Sequence, residues 1–147
     1  MKYFLTITFL ITLSLISISQ TLDFKFYNSH GIEYKSTSLN EQLEKEYHSK
    51  IQTRIILAGT ENLYDKLYSK QKKTLDSLDG ETLQLIFVTA CLTKENRDGY
   101  YTSIEDSRSL IGKDQSFSIR IIDSKANVIF ESRKVISTEK IKSILNE

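Results

Sequence analysis

Apolar and polar residues alternate with period two from Leu22 to Tyr27, the pattern of a half-buried strand. Asn28-Ser29-His30-Gly31 reads as a turn, and Ile32–Lys35 as a strand pairing back on the first. Ser38 with Glu41 three residues on forms a capping-box pattern. Leu39, Leu43 and Tyr47 then share one helical face, which predicts a helix ending near Ser49. Arg54 to Ala58 is a short apolar strand, with Gly59 expected to end it. Thr60 is the expected N-cap of a long helix reaching about Leu78, buried through Leu63, Leu67, Gln71, Leu75 and Leu78. Glu61 and Asp65 early in that helix, and Lys70, Lys72 and Lys73 late, complement its macrodipole.

Asp79-Gly80 breaks that helix, and the nearly continuous apolar run Leu83–Ala90 predicts a strand covered on both faces. Cys91 to Tyr101 reads as a polar loop around Asn96-Arg97-Asp98-Gly99. Thr102 or Ser103 caps a third helix of about ten residues closed by Gly112, with Ile104, Leu110 and Ile111 available for burial. Phe117–Ile122 and Val128–Glu131 are strands, and Asn127 is the expected left-handed residue of the turn between them. Ser137 caps a last helix, Ile136 and Ile141 fit a hydrophobic staple, and Ile144 and Leu145 extend the core face. The order from residue 53 is strand, helix, strand, helix, strand, strand, helix. Its first β-α-β unit must be right-handed with parallel strands, and its last two strands an antiparallel hairpin.

The first 19 residues have a different character. Lys2 followed by an apolar stretch from Phe4 to Ile16 and by Ser17-Ile18-Ser19 is the pattern of a secretory signal peptide, with Gln20 as the new first residue. The stretch falls short of the roughly 20 residues of a spanning helix. A lipid anchor would need Cys where Gln20 stands, so no membrane anchor is expected after cleavage. Export places the mature chain in the periplasm or outside the cell. Losing Lys2 takes the formal charge from +1 to zero, which argues against a nucleic-acid partner. The remaining length suits one domain with a single core, read as an extension over 20–50 and a domain over 51–147. One Cys allows no internal disulfide, and abundant Lys, Ile, Ser, Thr and Tyr suits an AT-rich bacterial genome.

The element order is that of an α/β thioredoxin-like fold, expected here with a mixed sheet of about four to five strands flanked by helices. Phe117-Ser-Ile-Arg-Ile-Ile-Asp-Ser-Lys-Ala-Asn-Val-Ile-Phe-Glu-Ser132 resembles the closing hairpin of thioredoxin-like proteins. With Val135-Ile-Ser-Thr-Glu-Lys-Ile141 and the Arg54-led strand, it is similar to an uncharacterised thioredoxin-like domain family of exported bacterial proteins. Related domains sit in animal equarin and sushi-repeat proteins. The resemblance spans about residues 45–147. It implies a redox site at the start of the helix after the Arg54 strand, where C-x-x-C would sit and the helix dipole would favour a thiolate. This chain has Gly59-Thr60-Glu61-Asn62-Leu63 there, with no thiol and with an acidic Glu61. Such enzymes also keep a cis-proline before the third strand, but the chain has no Pro, and Gln115-Ser116 fill the place.

The remaining candidates are few. Cys91 is the one nucleophile for an atypical single-cysteine oxidoreductase or peroxidase, yet it follows a buried strand and reads as core. Thr60, Glu61, Asn62 and Ser116 are candidate binding residues at the place of the lost active site. His30 and His48 lack a paired ligand, so no metal and no cofactor is expected. No nucleophile elbow suggests a hydrolase. Tyr64 with Tyr68, and Tyr100 with Tyr101, offer aromatic surface for a partner. The expected role is therefore non-catalytic binding of a protein or small ligand. A one-cysteine thiol enzyme using Cys91 is the alternative, and a small-molecule carrier with a deep apolar cavity a third reading.

Overall fold

The computed structural model describes residues 20–111 and 116–146. The leader expected over residues 1–19 and the helix-closing role expected of Gly112 lie outside the described residues, as does Gln115. The elements run β1 (Lys25–Tyr27), β2 (Glu33–Lys35), α1 (Leu39–Tyr47), β3 (Arg54–Thr60), α2 (Lys66–Asp76), β4 (Leu85–Cys91), β5 (Tyr100–Tyr101), α3 (Ile104–Leu110), β6 (Phe117–Ile122), β7 (Val128–Ser132) and α4 (Thr138–Leu145). They build one mixed sheet of seven strands in the order β2-β1-β5-β4-β3-β6-β7. The sheet is wider than the four to five strands expected. The two-residue β5 joins Tyr101 to Tyr27 of β1 and pairs in parallel with Val88 and Thr89 of β4. It thereby carries the β1–β2 hairpin onto the main sheet. Nothing in the polar loop signals β5 beyond its two adjacent tyrosines.

The expected parallel pairing of β3 with β4 and the expected antiparallel β6–β7 hairpin are present. β6 also lies antiparallel to β3, which joins the hairpin to the sheet. β3 is buried from Ile55 to Thr60 because helices cover both faces of the sheet. On one face Phe24, Phe26, Tyr34, Leu39 and Leu43 pack with Ile55, Leu57, Val88 and Leu110. On the other, Tyr68 and Leu75 of α2 and Ile141 and Ile144 of α4 pack on Ile56, Ile119 and Ile121. The segment over 20–50 thus shares the core of the rest of the chain.

Several local expectations are corrected. Gly59 does not end β3 but lies inside it, paired with Ala90 of β4 and Ser118 of β6, and a Cβ there would sit 2.7 Å from Ser118 Oγ and 2.9 Å from Ile111 Cγ1, so the position takes glycine. Thr60 is the last residue of β3, not a helix cap. α2 begins six residues later, with Asp65 as N-cap accepting from the Leu67 and Tyr68 amides at 2.9 and 3.0 Å. That start turns Leu67 out to solvent and puts Tyr68 in the buried stripe with Gln71, Leu75 and Leu78. Ser38 precedes α1 but makes no side-chain capping bond, so the expected capping box does not form, and Tyr47 is exposed. Ser103, not Thr102, caps α3 by accepting from the Asp106 amide at 3.0 Å. In the β6–β7 turn Ala126, with φ 66°, takes the left-handed conformation expected of Asn127. Ser137 caps α4 as expected, accepting from the Lys140 amide.

Candidate functional site

The sequence candidates converge at one end of the sheet. Parallel pairing of β3 and β4 sets Thr60 beside Cys91, the last residues of the two strands. A loop from Glu61 to Asp65 then crosses that end before α2 starts. Thr60 is buried and holds the loop in shape. Its hydroxyl donates to the Asn62 carbonyl at 2.8 Å and accepts from the Asn62 amide at 3.3 Å. Asn62 Oδ1 in turn accepts from the Tyr64 amide at 2.9 Å. From the β6 side, the Ser116 carbonyl accepts from the Glu61 amide at 3.1 Å. Thr60, Glu61, Asn62 and Ser116 are therefore brought together, but by backbone and side-chain bonds that close the loop. Glu61, Asn62 and Ser116 are exposed.

Cys91 lies beneath this loop. Its residue is 2% exposed, and its Sγ is 3.6 Å from both the Glu61 carbonyl oxygen and Thr93 Oγ1. The Thr93 hydroxyl donates to the same carbonyl at 3.0 Å, and the Leu92 amide donates to the Thr60 carbonyl at 3.1 Å. The thiol is a weak donor turned toward a carbonyl, with the loop backbone above it. No second thiol exists in the chain. Sequence reasoning missed that Cys91 shares the sheet end with Thr60. Strand register supplies that neighbourhood, and no spacing in the chain encodes it.

Two grooves flank the Thr93–Gly99 loop. One, about 420 Å³, runs between Leu63, Ile104 and the 93–98 segment. The other, about 390 Å³, lies between α2 and the start of β4. Inside the second, Tyr68 Oη is 2.9 Å from Thr89 Oγ1 and accepts from Asn96 Nδ2 at 3.3 Å. Lys72 contacts Asp76 at 2.6 Å there, and that hydrogen bond holds the lysine pKa above its ordinary value. In the loop after β3 Tyr64 is 85% exposed, and Leu67 in the first turn of α2 is exposed as well. The Tyr100–Tyr101 pair, by contrast, is mostly packed. Tyr101 is buried, and Tyr100 meets Phe26 and Tyr34 at centroid distances of 6.0 and 6.1 Å. His30 is exposed in the β1–β2 turn, and His48 is the left-handed C-cap of α1. Among the described residues, no three His, Cys, Asp or Glu side chains gather to hold a metal. No helix among them is long and apolar enough to cross a membrane.

No protein-family model matches the chain, and no curated protein matches it in sequence. Solved structures do resemble it. A conserved protein of unknown function from Bacteroides fragilis, BF1870, is similar with a TM-score of 0.52 and 16% identity, over 86% of this chain and 96% of that one. Peroxidoxin BcpB from Mycobacterium tuberculosis gives 0.60 and 11% identity, over 87% and 95%. The exposed lipoprotein thioredoxin Etrx1 from Streptococcus pneumoniae gives 0.57 and 10% identity, over 85% and 98%. The shared length exceeds what residues 51–147 supply alone, so the likeness takes in part of the N-terminal segment. At these identities the likeness is one of architecture: the chain has a thioredoxin-like fold, and its single cysteine is buried at the end of β4.

Proposed function

We propose that this chain is an exported, non-catalytic thioredoxin-like domain that acts by binding a protein or a small ligand. One observation carries the reading. Thr60 at the end of β3 and Glu61-Asn62 in the loop after it stand where a redox member would present its attacking thiol, and the lone thiol of the chain is buried under that loop. Disulfide exchange needs an accessible thiolate in line with the target sulfur, and a buried Sγ against a carbonyl offers neither access nor a resolving partner. The groove between Leu63, Ile104 and the 93–98 segment, together with exposed Tyr64 in the loop after β3, supplies contact surface near that loop. Export rests on the residues 1–19 pattern.

The competing reading, a one-cysteine thiol oxidoreductase or peroxidase of the cell envelope, draws on the position of Cys91 at the sheet end shared with the lost site. One assay separates the two. Purified protein and its Cys91→Ser variant are given a disulfide substrate with glutathione, and separately a hydroperoxide with the same thiol. Binding without catalysis predicts rates equal to the protein-free blank for both proteins. Turnover that disappears with Cys91→Ser overturns the proposal.

A further inference from the structure

The second groove lies between α2 and the sheet, along β4. Leu85, Phe87 and Thr89 alternate along the strand and so share one face, with Ala58 of β3 paired beside Thr89. Tyr68, Lys72, Leu75 and Asp76 stand at i, i+4, i+7 and i+8 of α2 and form the wall above that floor. Phe87 and Thr89 stay half-buried beneath it. Asn96 and Asp98 of the loop before β5 line another side, and Glu81 stands before the start of β4. At about 390 Å³ the groove falls in the range of roughly 300–1,000 Å³ that holds small organic ligands. From Leu85 to Thr89 the strand extends roughly 13 Å, room for one aromatic ring with a short tail.

The groove differs in chemistry from place to place. At the Thr89 end Tyr68 is 3% exposed, its Oη lies 2.9 Å from Thr89 Oγ1, and it accepts from Asn96 Nδ2 at 3.3 Å. Two hydroxyls face each other there, and each carries one hydrogen. One hydrogen bonds the pair together. The other has no acceptor among the described residues, whichever hydroxyl donates. An unpaired donor at such a depth is costly, and a ligand oxygen in the groove satisfies it. Ala58, Leu75, Leu85 and Phe87 make the lining apolar beyond that point. The mouth is acidic. Lys72 is paired with Asp76 at 2.6 Å, whereas Glu81 and Asp98 are exposed and make no ion pair among the described residues.

We infer that this groove binds a small organic cation whose apolar body carries an oxygen acceptor at one end and an ammonium group at the other. The oxygen accepts the free hydrogen of the Tyr68–Thr89 pair, and the body lies against Phe87 and Leu75. The ammonium sits in the field of Glu81 and Asp98 at the mouth, where a carboxylate of the same shape is repelled. This assignment rests on the binding role proposed above and names the ligand chemistry for it.

The test titrates three probes at neutral pH into isotope-labelled protein recovered after export from a host expressing the full chain, followed by amide chemical shifts. Tyramine carries both polar groups, phenethylamine lacks the oxygen, and para-hydroxyphenylacetate has a carboxylate in place of the ammonium. Tyramine is expected to shift the amides of Phe87, Thr89 and Asn96. It is expected to bind about tenfold more tightly than the acid and about fivefold more tightly than phenethylamine. A Glu81→Gln/Asp98→Asn variant, altered only at two exposed side chains, is expected to lose most of the preference over the acid and to keep the preference over phenethylamine. Equal affinity of tyramine and either other probe, shifts that spare Phe87–Thr89, or no binding up to millimolar tyramine overturns the assignment, and none of these outcomes depends on the variant folding. Such a failure in a protein without Cys91-dependent turnover removes the groove assignment alone, whereas turnover removes the binding role beneath it.

Discussion

Gln71 shows how a single polar residue can fasten two helices. It is fully buried in α2, and its amide makes a two-way bond with one residue before α4: Nε2 donates to the Ile136 carbonyl at 3.1 Å and Oε1 accepts from the Ile136 amide at 2.8 Å. Replacing Gln71 by Leu keeps the volume but strands both backbone groups in the core. Leaving buried donors and acceptors unpaired costs on the order of 3 kcal/mol for such a pair. Urea unfolding of the Gln71→Leu variant is expected to show a loss of that size with an unchanged slope. A loss under 1 kcal/mol would mean that water reaches Ile136. Gln71 was legible in the sequence as a member of the buried stripe, because it keeps helical spacing with Leu75 and Leu78. Its role as a clamp was not, since Ile136 lies 65 residues away and only the packing of α4 brings it near.

Elements whose signal is local were readable, and those that depend on distant neighbours were not. The apolar runs of β3, β4 and β6 and the Ser137 cap of α4 follow from residues adjacent in the chain. Thr60 misled because β3 continues through Gly59 and Thr60, paired with Ala90 and Cys91 on one side and Ser118 and Phe117 on the other, and the approach of Ile111 and Ser118 leaves room only for glycine at 59. The helix start moved to Asp65 as a result. β5 is two residues long and exists because Tyr100 and Tyr101 are held between β4 and β1, with Tyr100 against Phe26 and Tyr34. That packing has a pH signature. Burial raises the pKa of Tyr100 and of Tyr34 above the ordinary value of 10.0, with nearby Glu46 adding to both. A folded-state pKa above the unfolded one gives stability that is complete below about pH 10 and is lost as pH rises through the folded value. Stability of the wild-type protein is therefore expected to fall above pH 10, and a Tyr34→Phe/Tyr100→Phe variant to show a flatter alkaline limb in denaturant midpoints. Parallel limbs for the two proteins would remove these tyrosines as the cause.

Across the whole molecule, a thioredoxin-like fold carries one cysteine and no proline. Both of those features are local and were legible at once. The remaining thiol was legible as buried but not as a neighbour of Thr60, because β3–β4 register sets the two side by side. Export is tested by the mass of the protein released from a host expressing the full chain: removal of residues 1–19 predicts a mature chain beginning at Gln20, and retention of Met1 contradicts it. The central claim is that Cys91 is sealed and does no redox chemistry. The most direct measurement is the rate of iodoacetamide reaction with Cys91 across a urea series, beside the unfolding equilibrium of the same protein. Labelling that is negligible in the native state and rises in step with the unfolded fraction is the predicted result. Labelling of native protein at a rate near that of a free thiol, independent of urea below the transition, would contradict it.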